Sequence, residues 1–591
     1  MDTDEADGGS LKTDGGPPTV AEAVVDCLLD RGVDTVFGIP GKQTLPLNRA
    51  LADRDARFIV ARHETAVTHQ AWGYAEASDL GASDSERSDP VPMAATVVVP
   101  GPGDMNAMNG LKNALNDCVP LVHLAVETER GVRGGDGIHE TPPETYDTVV
   151  KENVLVDSPS GAVPAVADAI RVAREAPQGP VRVGIPKDVL ASRTPQPSVG
   201  ERAPSSPPEP PVDAVSRATE QLLAAERPVI LAGGGVRRAS ASSALRTVAE
   251  RLDAPVVTTY KGKGVLPETH SLSAGVLCGG SSTELRALLA DADIGLVVGS
   301  DLDAVATAAW SVSMPESLIH VTLDGDDIGF GYETDLGIVA DANRFLRRLG
   351  EALSDSNASD FESTAKSGTD RTAAVRSADR ERFEALSARS ENRAESVDLD
   401  RPLRSVEVLQ ELRDALPEET VVTADAGGFR LWTLVSFPAA GPSSYVNPGS
   451  WATMGTGLPS AIGAKLANPD RDVVALTGDG GLMMCVHELH TLAAERIDVT
   501  VVALNNDDYA IISEEASRSY GFPERTYGWA DAGLDLVAIA SGMGIRAERV
   551  DNRDAIGDAV EAARAHDAPA LVEISTDPNE PQASEWMTRE R

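Results

Sequence analysis

The sequence predicts an α/β protein of three doubly wound parallel-sheet domains. Short β-rich apolar runs alternate with helix-compatible stretches along the whole chain. Many of these runs end in Gly or Asn, and two polar breaks cut the pattern into three blocks of domain size.

In chain order the clearest runs are DTVFGIP (34–40), ATVVVPG (95–101), PLVHLAVE (120–127), PVRVGIP (180–186), RPVILAGGG (227–235), IGLVVGS (294–300), DVVALTGDG (472–480) and DVTVVALNN (498–506). They are continuously apolar rather than alternating, as strands buried on both faces require. The first break, 191–212, is rich in Pro and Ser and cannot pack as an element. The second, 353–400, is polar and charged, with a helix-compatible stretch at 377–396 that reads as solvated. The blocks are therefore 17–190, 212–352 and 401–591, joined at 353–400 by a charged linker. A smaller insert at 79–92 reads as a surface loop, and no tandem repeat of 20–50 residues occurs.

Composition narrows the function. Of the 591 residues 42% are hydrophobic, enough for full cores, and 52 Lys+Arg against 92 Asp+Glu leave a net charge of −40. Such a chain lacks the basic patch that nucleic acid needs, and an anionic membrane would repel it. Only nine of the 52 basic residues are Lys, a skew expected of a protein kept soluble in high salt. Cysteines at 27, 118, 278 and 485 form no C-x-x-C pair, which fits a reducing compartment. The start, 1–18, has neither a basic nor an apolar segment and reads as a flexible acidic tail rather than a secretory signal. No stretch of about 18 apolar residues suggests a membrane span. A cytoplasmic location is expected.

The most specific chemical signal lies in the last block. One strand runs into Gly478-Asp479-Gly480-Gly481 and the next into Asn505-Asn506-Asp507-Asp508. Asp479 and Asn506 are 27 positions apart, about one strand–helix–strand unit, so both fall at the carboxyl edge of one sheet, where doubly wound folds bind ligands. Glycines allow close backbone approach to a phosphate, and Asp and Asn offer the hard oxygens Mg²⁺ prefers. A lone Gly-Asp-Gly is weak, because turns use it freely. The pairing at this spacing is not, and it reads as a Mg²⁺-diphosphate site.

This pairing resembles the motif of thiamine diphosphate enzymes, and other segments extend the likeness. They are 447–459 (NPGSWATMGTGLP), 36–41 (VFGIPG), 61–64 (ARHE), Gly101-Pro102-Gly103 with Asn106, and the middle block from RPVILAGGG through KGKGVLPETH to VADAN (339–343). The chain is similar, from about 17 to 575, to the thiamine diphosphate-dependent 2-oxo acid decarboxylases and carboligases, and above all to acetolactate synthase large subunits.

The resemblance implies a pyrimidine-binding first domain, a central domain and a diphosphate-binding last domain, with site residues as follows. Glu64 would hydrogen-bond N1′ of the aminopyrimidine, favouring the 4′-imino tautomer that removes the C2 proton. Met454 would wedge beneath the thiazolium, and the Ala452 carbonyl would accept from the 4′-amino group. Gly428 and Phe429 would present amides to the diphosphate. Asp479, Asn506 and the main-chain oxygen of Asp508 would hold Mg²⁺, although relatives commonly carry Gly at the place of Asp508. Gly38, Gly478, Gly480, Gly481, Tyr509 and Ala510 complete the implied cofactor-binding set. The implied activity is decarboxylation of a 2-oxo acid followed by carboligation. It would come from a homodimer or homotetramer with Glu64 and Asp479 meeting across the interface, and a regulatory small subunit is compatible with this but not derivable.

Three departures from acetolactate synthases bear on the outcome. Ile138-His139 stand where the synthases carry Phe-Gln, which makes His139 a candidate proton donor for a simple decarboxylase. Glu515 stands about where the synthases place a Trp that shapes the acceptor pocket. The Arg-rich stretch for FAD is absent from 299–305, which argues against that cofactor, while Gly233-Gly234-Gly235 reads as a nucleotide-type turn or simply a tight one. Lys261 and Lys263 read as a solvated turn, Arg130 and Arg133 as conceivable carboxylate contacts, and His63 as structural. A non-catalytic cofactor-binding paralogue is the third alternative.

Overall fold

A computed structural model describes residues 16–78, 91–135, 137–195, 205–355, 367–391 and 402–589. Most of the acidic tail, the insert expected at 79–92 except its last two residues, Asp136 and parts of both breaks lie outside the described residues.

Each block folds around one six-stranded, all-parallel sheet. Numbering the strands along each domain, the first and third sheets share the order 2-1-3-4-6-5, whereas the central sheet runs 3-2-1-4-5-6. All eight apolar runs become strands: Thr35–Gly38, Ala95–Val98, Leu121–Glu127, Pro180–Pro186, Pro228–Ala232, Ile294–Val298, Val473–Gly478 and Thr500–Asn505. Helices cover both faces of each sheet, which is why these strands needed no polar alternation.

The first and last domains join through two helices, Glu64–Ala77 and Gly457–Ala467. Both are buried on nearly all sides, because each is sandwiched between its own sheet and the other helix. Glycine permits the approach: a Cβ on Gly73 would collide with the backbone of Ser460, and one on Gly463 with the backbone of Gln70 and Tyr74. The next helix, Pro102–Asn116, packs on the same bundle, with Thr68 Oγ1 donating to the carbonyl of Ala107 at 3.2 Å. It is anchored to its sheet by buried Asp104, which meets His123 Nε2 at 2.9 Å and accepts from Arg182 Nη2 at 2.6 Å.

Two expectations are corrected here. The break at 353–400 contains the helix Gly368–Glu391, which is not a solvated one. Thr372, Val375, Ala378, Arg382 and Leu386 are buried along one face, and Arg382 Nη2 donates to Thr283 Oγ1 at 2.6 Å. One apolar or paired residue per turn disappears in an otherwise charged stretch, so average polarity misreads it. The Lys261–Lys263 turn is not solvated either, for Lys263 is 1% exposed and donates to Glu268 at 2.6 Å and to the Leu434 carbonyl at 3.0 Å.

Two outcomes are expected. Gly463→Ala should cost about 1–3 kcal/mol by overpacking against the facing helix backbone, more than the helix propensity it gains. A melting midpoint equal to or above that of the parent would refute this. His69 is fully buried, and burial pushes its pKa down to about 4 against the raising effect of the nearby Thr65 carbonyl. Its neutral form is the one the fold accepts, so stability is complete above the unfolded value near 6.5 and is lost as the pH falls towards 4, by about 3 kcal/mol in all. His69→Leu should therefore flatten the acid limb of a plot of melting midpoint against pH.

Candidate active site

The carboxyl edge of the last sheet gathers most of the residues singled out from the sequence. Asp479 begins the helix Asp479–Cys485 directly after its strand, and Asn506 follows the neighbouring strand, which pairs with the first in parallel. The Asp479 carboxylate accepts from the amides of Gly480 at 2.7 Å and Asn506 at 3.2 Å, while Asn506 Oδ1 accepts from the Asp508 amide at 3.1 Å. Burial pushes Asp479 up to about 6 against the lowering effect of those amides, so a cation here would relieve a desolvated carboxylate. Each of these oxygens keeps a lone pair, and among the described residues no group of three or more His, Cys, Asp or Glu forms an alternative metal centre. The donor set thus suits a hard divalent ion that draws its remaining ligands from phosphate and water.

Above this edge Tyr509, Met454 and Gly480 come together. A Cβ on Gly480 would lie 2.5 Å from the Tyr509 ring and 3.3 Å from the Met454 methyl, so only glycine fits beneath both side chains. Tyr509 caps the helix Ala510–Tyr520 and stacks edge-on against Trp529 at 5.0 Å. Gly428 and Phe429 open the helix Gly428–Ser436, whose N-terminus no side chain caps, and the Phe429 ring packs beside Gly478. Ala452 holds a left-handed φ of 46°.

The candidates of the first domain form a second group. Glu64 is the first residue of its helix, with His63 as the N-cap accepting from the Thr65 amide at 3.2 Å. Asn106 Nδ2 donates to the Glu64 carboxylate at 3.1 Å, and Gly103 lies beside the same carboxylate. His139 is exposed, has a φ of 65°, and lays its backbone against Gly101, at the other end of that turn. Gly38 ends its strand between Val60 and Val97. Among the described residues no hydrogen bond or ion pair within the chain joins Glu64 or His139 to Asp479, Asn506 or Asp508. Arg130 is committed to Asp188 at 2.8 Å, and Glu515 pairs with Arg518 on an exposed helix face.

Four participants escaped the sequence reading. Asp425, fully buried after the strand Val421–Ala424, accepts from Ala426 at 2.7 Å, Thr477 Oγ1 at 3.0 Å, Thr456 at 3.1 Å and Gly455 at 3.2 Å. Glu488 accepts from the amides of Arg62 at 2.8 Å and His63 at 3.2 Å, seating the turn before Glu64 on the last domain. Arg525 donates to the Asn506 carbonyl at 3.1 Å and stands 3.7 Å from the Asp508 carboxylate, compensating the charge that Asp508 adds. Gln582 lies beside Gly428. A strand-terminal Asp was the available signal for Asp425; the others depend on pairings distant in sequence.

The central sheet has the strand order of dinucleotide-binding folds, and a cavity of about 1170 Å³ opens at its carboxyl edge. The lining is mixed in charge, with Asp301, Asp303, Asp324 and Asp327 beside Arg174, Arg237, Arg238 and Arg344, and the amides of Gly233 and Gly235 already donate to Val298 and Gly299 at 2.9 and 2.8 Å. The glycine trio caps and opens the short helix Gly234–Arg238, with Gly233 and Gly235 packed against Gly299.

Comparison with known proteins agrees with this geometry. Residues 18–149, 215–349 and 425–574 match the N-terminal, central and C-terminal domains of thiamine pyrophosphate enzymes. The acetolactate synthase large subunit of Parasynechococcus marenigrum is 29% identical, over 94% of this chain and 88% of its own. The acetolactate synthase isozyme 1 large subunit of Escherichia coli is 28% identical, over 95% and 94%. An X-ray structure of a candidate thiamin diphosphate-dependent enzyme from Mycobacterium smegmatis shares the fold with a TM-score of 0.76 at 23% identity, over 95% of this chain and 100% of that one. The chain belongs to the thiamine pyrophosphate-dependent enzymes and is related over most of its length to acetolactate synthase large subunits.

Proposed function

We propose that the chain is a thiamine diphosphate- and Mg²⁺-dependent carboligase acting on a 2-oxo acid after decarboxylation, as acetolactate synthases do. The observation that carries this is the meeting of Asp479 and Asn506 on adjacent strand ends, with Met454 and Tyr509 packed over the intervening Gly480. Thiamine diphosphate, when bound, supplies a carbon nucleophile at C2 and an electron sink for the loss of CO₂. Asp479, Asn506 and the Asp508 carbonyl would hold the ion, and the first-turn amides of Gly428 and Phe429 would take the diphosphate at a helix N-terminus. Met454 and the Ala452 carbonyl would shape the ring conformer. Glu64, its carboxylate kept in place by Asn106, would hold a proton at N1′.

Two identical chains would complete the site. Exposed apolar residues flank both halves: Met105 and Ile138 beside Asn106 and His139, and Met483, Met484 and Ile512 beyond Asp479 and Asn506. A partner covering them would bring its Glu64 to this chain's Asp479. The strong acidity and scarcity of lysine fit work in a salty cytoplasm. No described helix is long and apolar enough to cross a membrane.

A second reading has one observation in its favour, the exposed His139 at the end of the turn that also touches Glu64. In it His139 delivers a proton and the product is an aldehyde.

Glu64→Gln should lower turnover roughly 10²–10⁴-fold while cofactor binding with Mg²⁺ stays within a few-fold, read by steady-state assay and calorimetry. Full activity in this variant contradicts the assignment. With pyruvate at high KCl the parent should yield acetolactate, and His139→Gln should leave the product ratio unchanged. Acetaldehyde from the parent that disappears in His139→Gln establishes the decarboxylase instead.

A further inference from the structure

We infer that Asp117 and Lys261 are positioning residues for the segment 447–454, which they hold from a buried junction where all three domains meet. The inference rests on the cofactor reading above, since Ala452 and Met454 belong to that segment.

Asp117 follows the helix Pro102–Asn116 of the first domain. Its Oδ2 accepts from the Gly449 amide at 3.1 Å, from Trp72 Nε1 at 3.2 Å and from Lys261 Nζ at 3.2 Å. Lys261, from the central domain, also donates to the Asn447 carbonyl at 3.0 Å and to Glu76. Glu76, whose side chain is wholly inaccessible, pairs with Arg238 as well. From the last domain Arg430 donates to Asn447 Oδ1 at 3.0 Å and to the Pro448 carbonyl, and Asn447 Nδ2 returns a bond to the Tyr260 carbonyl at 3.0 Å. Three consecutive residues, 447–449, are thus tied to all three domains.

The segment beyond them is fixed from one side. Asn116 donates to Ser450 at 3.3 Å, and Asn109 accepts from Trp451 Nε1 at 2.7 Å and donates to Thr453 at 3.1 Å. At its far end Gly455 and Thr456 are held by Asp425. Ala452 sits between these anchors in a left-handed conformation that alanine does not adopt unaided.

Two features separate positioning from plain stability. Buried ion pairs are weak stabilisers, because desolvation offsets most of their attraction, so an isolated pair here would achieve little. Moreover, the groups this one reaches are main-chain atoms of the segment, the Asn447 oxygen and the Gly449 nitrogen, and a Cβ on Gly449 would collide with the Asp117 carboxylate. One of the chain's nine lysines stands at this junction, its side chain 14% exposed.

The test uses the full-length protein with thiamine diphosphate at saturating Mg²⁺, read by titration calorimetry and by hydrogen exchange of the peptide 447–454. Asp117→Asn and Lys261→Met should each raise the dissociation constant at least tenfold and speed exchange in that peptide. Arg382→Met, which breaks a buried pair elsewhere, should lower the melting midpoint yet leave the constant within twofold. Should Lys261→Met fail to fold, Asp117→Asn decides, since it keeps the shape and removes only the charge. Parental binding and exchange in Asp117→Asn overturn the inference alone. A parent that binds no thiamine diphosphate overturns the functional reading and the inference together.

Discussion

The candidate site depends above all on one buried carboxylate. Asp425 has no access to solvent, and burial raises its pKa, yet its two oxygens collect four hydrogen bonds from three separate segments. The amide of Ala426 leads into the helix that begins at Gly428, the amides of Gly455 and Thr456 end the segment that carries Met454, and Thr477 precedes Gly478 and Asp479. The three segments that carry the proposed diphosphate, ring and metal contacts are thereby fixed to one another. Preorganisation of this kind spares the reorganisation that binding would otherwise require. Leaving such a carboxylate unpaired in the core would cost more than any single contact at the site returns.

The crossing of Glu64–Ala77 over Gly457–Ala467 extends that order to the first domain. Its glycines bring two backbones close enough to behave as one body, and each helix begins or is preceded by a site segment. Glu488 then grips the amides just before Glu64. Even so, the Glu64 group and the Asp479 group are not bonded within the chain. The tight intrachain packing occupies the helical faces and leaves both groups at surfaces edged with exposed Met and Ile side chains, which is the arrangement that pairing of two chains would complete.

Much of this was legible in the sequence, for physical reasons. Strands covered by helices on both faces must be continuously apolar, so all eight runs became strands. Asp479 and Asn506 were legible because one strand–helix–strand unit has a nearly fixed length. What escaped depends on partners far apart in the chain. Apart from its neighbour Ala426, Asp425 meets its partners 30 to 52 residues away, and Lys261 reaches Glu76, Asp117 and Asn447 across 185, 144 and 186 residues. No local pattern marks such a lysine as ion-paired; a Lys-Gly-Lys turn looks solvated until its carboxylates are placed around it. The helix Gly368–Glu391 hid its buried face for the converse reason, because the local average was polar.

The acidity that excluded nucleic acid also bears on the site. On the proposed reading, a chain of net charge −40 would receive an anionic diphosphate with helix amides and a metal ion rather than with a lysine cluster. That makes the account of the site a claim about activation as much as about binding. The most direct measurement is the exchange rate of the C2 proton of thiamine diphosphate bound with Mg²⁺, followed by NMR after rapid acid quench. The account predicts exchange accelerated by orders of magnitude over the free cofactor. Exchange at the rate of the free cofactor, with binding intact, would contradict it.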